Sequence, residues 1–147
     1  MDLENKIYNL INQKKNVFLV GESDSGKTHF VLKELIPFLV SKRLRITYFP
    51  DCNHISVLPK TGVAIIDEVE TFQDKEFLEK NRTARKPYYN KRYVQKVNRW
   101  FKKLKRVKTL SIYIITRNNK NEVKHFQKTV KAADWDKRKV AVVVFSS

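Results

Sequence analysis

The residues best suited to chemistry in this 147-residue chain stand near its beginning, in the segment 21–28. That segment reads G-x-x-x-x-G-K-T, with glycine at Gly21 and Gly26 and the pair Lys27 and Thr28 at its end. Glycines let a loop turn its backbone N–H groups inward, where they can hold phosphate oxygens, and the lysine adds a mobile positive charge. A threonine hydroxyl is an oxygen ligand suited to Mg²⁺. The spacing of these residues therefore predicts a phosphate-binding loop with a metal ligand.

The sequence on either side of this loop predicts the elements that position it. Val17–Val20 is a run of apolar residues typical of a buried strand. After the loop, apolar residues recur at helical spacing, which predicts a helix from near Lys27 to about Ser41. Pro37 lies inside that pattern, so we expect a kink or an early end of the helix there. The candidate nucleotide-binding residues are Gly21, Glu22, Ser23, Asp24, Ser25, Gly26, Lys27 and Thr28.

A second set of chemically capable residues follows another apolar run. Val63–Ile66 is continuously apolar, as in a strand buried on both faces of a parallel sheet, and it leads directly into Asp67 and Glu68. The two carboxylates therefore stand at the carboxyl end of a strand, where open parallel sheets bind their ligands. The sequence predicts that these acids belong to the same site as the phosphate-binding loop.

The loop and the apolar run with Asp67 and Glu68 together resemble the Walker A and Walker B motifs of P-loop NTPases. A further strand predicted between them, at Leu44–Phe49, makes the chain similar to the additional-strand (ASCE) group, which includes AAA+ proteins, superfamily-three helicases and packaging motors. The resemblance implies an α/β fold of three layers (αβα) with a five-stranded parallel sheet in the order 5-1-4-3-2. Apolar runs at Leu110–Thr116 and Lys139–Phe145 supply the remaining two strands.

The resemblance also implies a role for each polar residue of the two motifs. Asp67 would hold Mg²⁺ together with Thr28, and Glu68 would orient and polarise the attacking water. In the similar families the fourth strand ends in a polar sensor of the γ-phosphate, which leaves Thr116 and Asn118 as alternatives. The implied catalytic residues are Lys27, Glu68, Thr116 and Asn118, the metal ligands are Thr28 and Asp67, and the cofactors are ATP and Mg²⁺.

The same resemblance bears on assembly. A ring of subunits would require an arginine finger supplied in trans, for which Arg82, Arg85 and Arg117 are the candidates. AAA+ proteins normally continue into a helical lid, whereas this sequence ends just after the fifth predicted strand. The expectation is therefore a lidless core ATPase, alone or in a homo-oligomer or larger assembly.

The overall composition predicts one folded domain over residues 1–147. Hydrophobic residues make up 41% of the chain, which suits a globular core rather than disorder. The single cysteine, Cys52, excludes a disulfide framework and a four-cysteine zinc site, and it indicates a reducing compartment. Without a signal peptide or a membrane-length apolar run, the expected location is cytoplasmic, or the host cytoplasm if the protein is viral or plasmid-borne.

The distribution of positive charge points to a phosphate-rich partner. The net charge is +16, and no acidic residue occurs between Glu79 and Glu122. The predicted helical segment at about 72–108, between strands three and four, carries most of the excess, as expected for nucleic-acid binding. The candidate nucleic-acid-binding residues are Arg82, Arg85, Lys86, Lys91, Arg92, Lys96, Arg99, Lys102, Lys103 and Arg106.

These observations favour a Mg²⁺-dependent ATPase acting on DNA or RNA, as a helicase, a packaging, replication or mobilisation motor, or an accessory ATPase. One alternative is a small nucleoside or nucleotide kinase in which Arg82, Arg85 and Lys86 form a lid over a phosphate. Another is a nucleotide-gated binding module with little hydrolysis. No base-discriminating motif of GTPases is present, so ATP is the expected nucleotide.

Overall fold

The computed structural model describes residues 2–69, 91–130 and 139–146, with the backbone alone described at 91–93, 97, 100–101 and 129–130. The part of the predicted helical segment at about 72–108 that precedes residue 91 lies outside these ranges. Among the described residues, no helix has both the length and the apolar character needed to cross a membrane.

Helices and strands alternate along the chain. Helix α2 consists of three consecutive stretches, Lys27–Phe30, Val31–Leu35 and Ile36–Ser41, and a short 3₁₀ turn at Cys52–His54 follows the second strand. The other elements are α1 (Leu3–Asn12), β1 (Asn16–Glu22), β2 (Ile46–Phe49), β3 (Val63–Ile66), α3 (Lys91–Arg106), β4 (Leu110–Arg117), α4 (Lys120–Val130) and β5 (Val140–Val144).

The strands form one parallel sheet in the order β2-β3-β4-β1-β5. Read from the β5 edge, this is 5-1-4-3-2, the same order of strands as that expected above. Parallel strands with helical connections require helices on the faces of the sheet, and the described helices occupy both. The chain is therefore a layered α/β protein with the sheet between two layers of helices.

Alternation along the strands divides the core into two clusters. On β1, Val17 and Leu19 pack against α1 and α2, whereas Phe18 and Val20 pack against α3 and α4. Both faces of the strand are buried, which explains why the sequence is apolar at successive positions rather than alternately. Residues Ile112 to Ile115 of β4 repeat the pattern, so this strand is likewise buried on both faces.

Helix α2 continues past Pro37 instead of ending there. Its middle stretch, Val31–Leu35, is π-helical, and the N–H of Ile36 donates to the carbonyl of Val31, five residues earlier. Such a wide turn adds a residue to the helix and shifts the hydrogen-bond pattern. Pro37 then lies in the first turn of the stretch Ile36–Ser41, where its missing N–H is tolerated. The expected early end of the helix is wrong for this reason.

The buried centre of β4 should contribute strongly to stability. Ile114 is 1% exposed within the cluster that faces α1 and α2, so Ile114→Ala leaves a cavity and should lower the free energy of unfolding by about 2–5 kcal/mol. Leu32→Ala on α2 is the control because Leu32 is 42% exposed, and it should have a much smaller effect. Urea denaturation measures both. Equal losses of stability in the two variants would contradict the packing described here.

Candidate functional site

The segment between β1 and α2 is a tight loop with two positions in the left-handed region. Asp24 has φ 57° and Gly26 has φ 90°, a conformation that glycine adopts without strain. Gly21 lies against the end of β5, where a Cβ would come within 3.0 Å of the Phe145 carbonyl oxygen. The two glycines of the motif are thus required for different reasons, Gly26 by its backbone angle and Gly21 by close approach.

Lys27 lies inside this loop rather than in solvent. Its side chain is buried, and Nζ donates to the carbonyl oxygen of Glu22 at 2.5 Å and to Oγ of Ser25 at 3.2 Å. Burial lowers the pKa of Lys27 below its usual value, while the nearby carboxylates of Asp67, Asp24 and Glu22 act in the opposite direction. Both acceptors are uncharged, and phosphate oxygens are stronger acceptors for an ammonium group. The Lys27 ammonium group is therefore able to exchange these two acceptors for the oxygens of a phosphate.

Asp67 joins the two predicted motifs. Its carboxylate is 3% exposed, and Oδ2 accepts hydrogen bonds from Thr28 Oγ1 at 3.0 Å and from the Tyr48 hydroxyl at 2.8 Å. Oδ1 accepts the backbone N–H of Glu68 at 2.8 Å. The structure thus brings the two predicted metal ligands, Thr28 and Asp67, into direct contact.

Tyr48 is a residue of this site that sequence reasoning missed. It lies near the end of β2, and burial together with the hydrogen bond to Asp67 raises its pKa well above the usual value for tyrosine. The alternating pattern of Leu44–Phe49 predicted a strand. The signal that could have identified Tyr48 is a hydroxyl at the carboxyl end of the strand that neighbours β3, once the strand order is known.

The loop, α2 and the ends of β3 and β4 enclose a cleft of about 350 Å³. Glu68 is exposed at this cleft and has φ 47°, an uncommon conformation for a residue other than glycine, which turns the chain directly after β3. The lining residues are Ser23, Asp24, Gly26, Lys27, Thr28, His29, Asp67, Glu68 and Thr116. Most of the predicted catalytic and metal-binding residues therefore share one cleft.

The two alternatives for the sensor are placed differently. Thr116 lies on β4 beside Gly21 in the strand register and lines the cleft. Asn118 is exposed beyond the strand, where its backbone N–H donates to Oε2 of Glu122 at 3.0 Å at the start of α4, and it is not among the lining residues. The geometry therefore favours Thr116 over Asn118 as a residue of the cleft.

A second cleft, of about 340 Å³, lies on the β5 side of the loop. Val123, Val144 and Phe145 contribute its apolar surface, and Lys120, Val123, Lys124 and Gln127 come from one side of α4. The remaining lining residues are Glu22, Ser25 and Ser146. Of these, the sequence had predicted only Glu22 and Ser25, because the helical spacing on α4 also fits an ordinary packing face.

Arg117 does not extend to the surface. Its guanidinium lies 4.9 Å from the centre of the Phe126 ring, and the residue is 5% exposed. The interpretation that Arg117 reaches a neighbouring subunit is therefore not supported by this arrangement, because β4 directs the side chain into the layer containing α4. The other two arginine-finger candidates, Arg82 and Arg85, lie outside the described residues.

Helix α3 combines an apolar contact with the sheet and a positive outer surface. Leu104 belongs to the buried core, and Lys103 donates to the carbonyl oxygen of Asn53, in the middle of the 3₁₀ turn, at 3.2 Å. The predicted nucleic-acid-binding residues that are exposed on this helix are Lys96, Arg99, Lys102 and Arg106. Arg82, Arg85 and Lys86 lie outside the described residues, and the side chains of Lys91 and Arg92 are likewise not described.

The donor atoms of the first cleft suit a hard cation. Thr28 and Asp67 offer hydroxyl and carboxylate oxygens, which Mg²⁺ prefers, and Glu68 adds a further carboxylate at the edge. Within the described ranges, no group of three or more His, Cys, Asp and Glu residues is placed to hold a metal. The site therefore fits an ion shared with a bound phosphate better than a dedicated protein cage.

Comparison of the chain with protein-family models, with curated proteins and with solved structures found no match. The function must therefore be argued from the site. That site unites a glycine loop, a buried lysine and the hydrogen-bonded pair of Thr28 and Asp67 at the carboxyl end of a parallel sheet.

The hydrogen bond from Tyr48 predicts a dependence of stability on alkaline pH. The pKa of a tyrosine in the unfolded chain is about 10, whereas the pKa of Tyr48 in the folded protein is higher. As the pH rises through 10, unfolding of the metal-free protein therefore becomes more favourable, because only the unfolded chain releases this proton. Tyr48→Phe removes the effect, so the wild-type protein should lose more unfolding free energy between about pH 8 and pH 10.5 than the variant. Identical losses by urea denaturation in EDTA would contradict the assignment.

Proposed function

We propose that this protein is a Mg²⁺-dependent ATPase of the P-loop type, similar to the core of additional-strand NTPases, that acts on nucleic acid. The observation that carries the proposal is the 3.0 Å hydrogen bond between Thr28 and Asp67, which joins two motifs 39 residues apart. An isolated glycine turn or a strand ending in solvated acids would not require this contact. The polar groups of the glycine loop and those of the segment after β3 therefore line the same cleft.

The loop supplies the phosphate-binding part of this function. Within the described residues, no side chain caps the first turn of α2, so its N–H groups and its partial positive charge are directed at the loop. This arrangement attracts an anion such as a phosphate. Lys27 exchanges its bonds to Glu22 and Ser25 for bonds to phosphate oxygens. Movement of this single side chain provides the strongest charged contact of the site.

The residues of the cleft account for hydrolysis. Thr28 and Asp67 would hold Mg²⁺, which when bound neutralises charge on the phosphate oxygens. Glu68 places an exposed carboxylate beside them, where it orients a water molecule and accepts its proton. The Thr116 hydroxyl, on the strand between the two motifs, donates to the terminal phosphate.

The second cleft is the part of the site that accommodates the nucleoside. It borders the same loop on the side away from Asp67, through Glu22 and Ser25. Its apolar wall suits a base, and the lysines of α4 suit the adjoining phosphate and ribose oxygens. The two clefts together therefore have the polarity of a nucleotide, apolar at one end and charged at the other.

Helix α3 supports the part of the proposal that concerns nucleic acid. Arg99, Lys102 and Arg106 are spaced three and four residues apart, so they lie on one side of the helix, and all three are exposed. A row of cations on a rigid helix suits the phosphate backbone of DNA or RNA. Cys52 is buried, and a chain with a single cysteine cannot form an internal disulfide, which suits a cytoplasmic setting.

Binding and hydrolysis should separate when single residues of the cleft are replaced. Glu68→Gln removes the base but keeps the shape, so turnover should fall about 10²- to 10⁴-fold while ATP is still bound. Lys27→Ala should abolish nucleotide binding, and Lys33→Ala, on the exposed side of α2, should leave it unchanged. Fluorescent-nucleotide binding and phosphate release measure these effects, with and without single-stranded and duplex DNA and RNA.

Each outcome of that experiment has a defined meaning. Stimulation by one nucleic acid that is lost in Glu68→Gln supports the whole proposal. Binding without turnover under every condition contradicts hydrolysis and leaves a nucleotide-gated binding module. Transfer of phosphate to a nucleoside, with little free phosphate released, leaves a kinase instead.

Removal of the cations on α3 should change the salt dependence of nucleic-acid binding. Replacing Arg99, Lys102 and Arg106 by glutamine removes three phosphate contacts, so the plot of log affinity against log salt concentration should become shallower by about 2 to 3 units. Affinity should fall at low salt for all sequences tested, because contacts to phosphate carry no sequence information.

The matched control removes the same charge elsewhere. Lys6, Lys33 and Arg45 are exposed residues outside α3, and their triple glutamine variant has the same net charge as the α3 variant. It should retain nearly the wild-type slope. If the two variants lose salt dependence equally, the net charge and not α3 is responsible, and the proposed interface is wrong.

A further inference from the structure

Two hydroxyl groups from different elements converge on one oxygen of Asp67. Thr28 at the start of α2 and Tyr48 near the end of β2 both donate to Oδ2, at 3.0 and 2.8 Å. The backbone N–H of Glu68 donates to Oδ1 at 2.8 Å. A carboxylate has about four acceptor positions in total, so these three bonds leave one, on Oδ1.

The position of Tyr48 is fixed independently of this contact. β2 pairs with β3 in parallel register, with Tyr48 beside Ile65, and the Asp67 N–H donates to the Phe49 carbonyl oxygen at 2.9 Å. The Tyr48 ring packs against the core cluster that faces α1 and α2. The pairing of β2 with β3 and the packing of the ring therefore hold Tyr48 in place. Its hydroxyl is positioned to donate to Asp67, which directly follows β3.

We propose that Tyr48 is a positioning residue for the metal site, acting through Asp67. Rotation of the Asp67 carboxylate would break the hydrogen bond from Tyr48. This bond therefore holds the carboxylate in one orientation and fixes the direction of the remaining acceptor position on Oδ1. Oδ2 in turn accepts the hydrogen bond from the Thr28 hydroxyl, which leaves the lone pairs of the threonine oxygen for the ion. Hydrogen-bonding partners of metal ligands commonly change metal affinity about 10- to 100-fold when removed. This inference rests on the proposed binding of Mg²⁺ with ATP.

The test measures metal dependence by nucleotide binding rather than by turnover. In Tyr48→Phe, the Mg²⁺ concentration that gives half-maximal enhancement of fluorescent-ATP binding should rise about tenfold. Affinity measured in EDTA should not change, because the loop and Lys27 are untouched. Tyr8→Phe is the matched control, since Tyr8 contacts Phe38 on α2 with ring centres 6.1 Å apart and belongs to neither cleft.

A double-mutant cycle distinguishes a positioning role from a general loss of structure. Asp67→Asn keeps the shape but removes the charge, so adding Tyr48→Phe to it should produce no further change in Mg²⁺ dependence. An unchanged Mg²⁺ requirement in Tyr48→Phe, or an additive effect in the double variant, would overturn the inference. If the wild-type protein shows no Mg²⁺-dependent nucleotide binding at all, the proposed function itself fails.

Discussion

The site depends on β4 lying between β1 and β3 in the sheet. The loop after β1 and the segment after β3 are both hydrogen-bonded to this strand: the Ser23 N–H donates to the Arg117 carbonyl oxygen at 3.0 Å, and the Val69 N–H donates to that of Ile114 at 2.9 Å. Neighbouring strands are about 4.8 Å apart, so the ends of β1 and β3 lie about 10 Å apart. That separation leaves room for the first cleft between the loop and the end of β3, and it places Thr116 in the gap.

The charges that line the first cleft support the proposal that its ligand is an anion accompanied by a metal ion. Its walls carry the carboxylates of Asp24, Asp67 and Glu68 close to the buried Lys27. The carboxylates weaken the binding of a phosphate alone, and a divalent cation bound beside the phosphate offsets their negative charge. Binding the two together satisfies both sets of charges, which is why the proposed ligand is a nucleotide with Mg²⁺ rather than either component.

The sequence predicted the parts of this structure that follow from local pattern. The loop needs glycine at Gly26 for its backbone angle, and a strand buried on both faces needs a continuous apolar run, so both were visible without coordinates. Features that depend on which elements become neighbours were not visible. Tyr48 meets Asp67 only because β2 pairs with β3, and Arg117 is buried only because Phe126 of α4 packs beneath it. The π turn before Pro37 likewise required a shift in hydrogen bonding that periodicity does not encode.

The described contacts also connect the first cleft to the basic helix α3 by a short route through β2. Tyr48 bonds to Asp67, and the chain continues through Phe49 into the 3₁₀ turn at Cys52–His54. At that turn the Asn53 carbonyl oxygen accepts a hydrogen bond from Lys103 of α3. Phe49 and Cys52 pack in the same core cluster as Leu104, so the turn and the helix cannot shift independently without losing buried contacts. Under the proposed function, a change at Asp67 on metal binding would therefore reach the nucleic-acid surface through packed side chains of one strand and one turn.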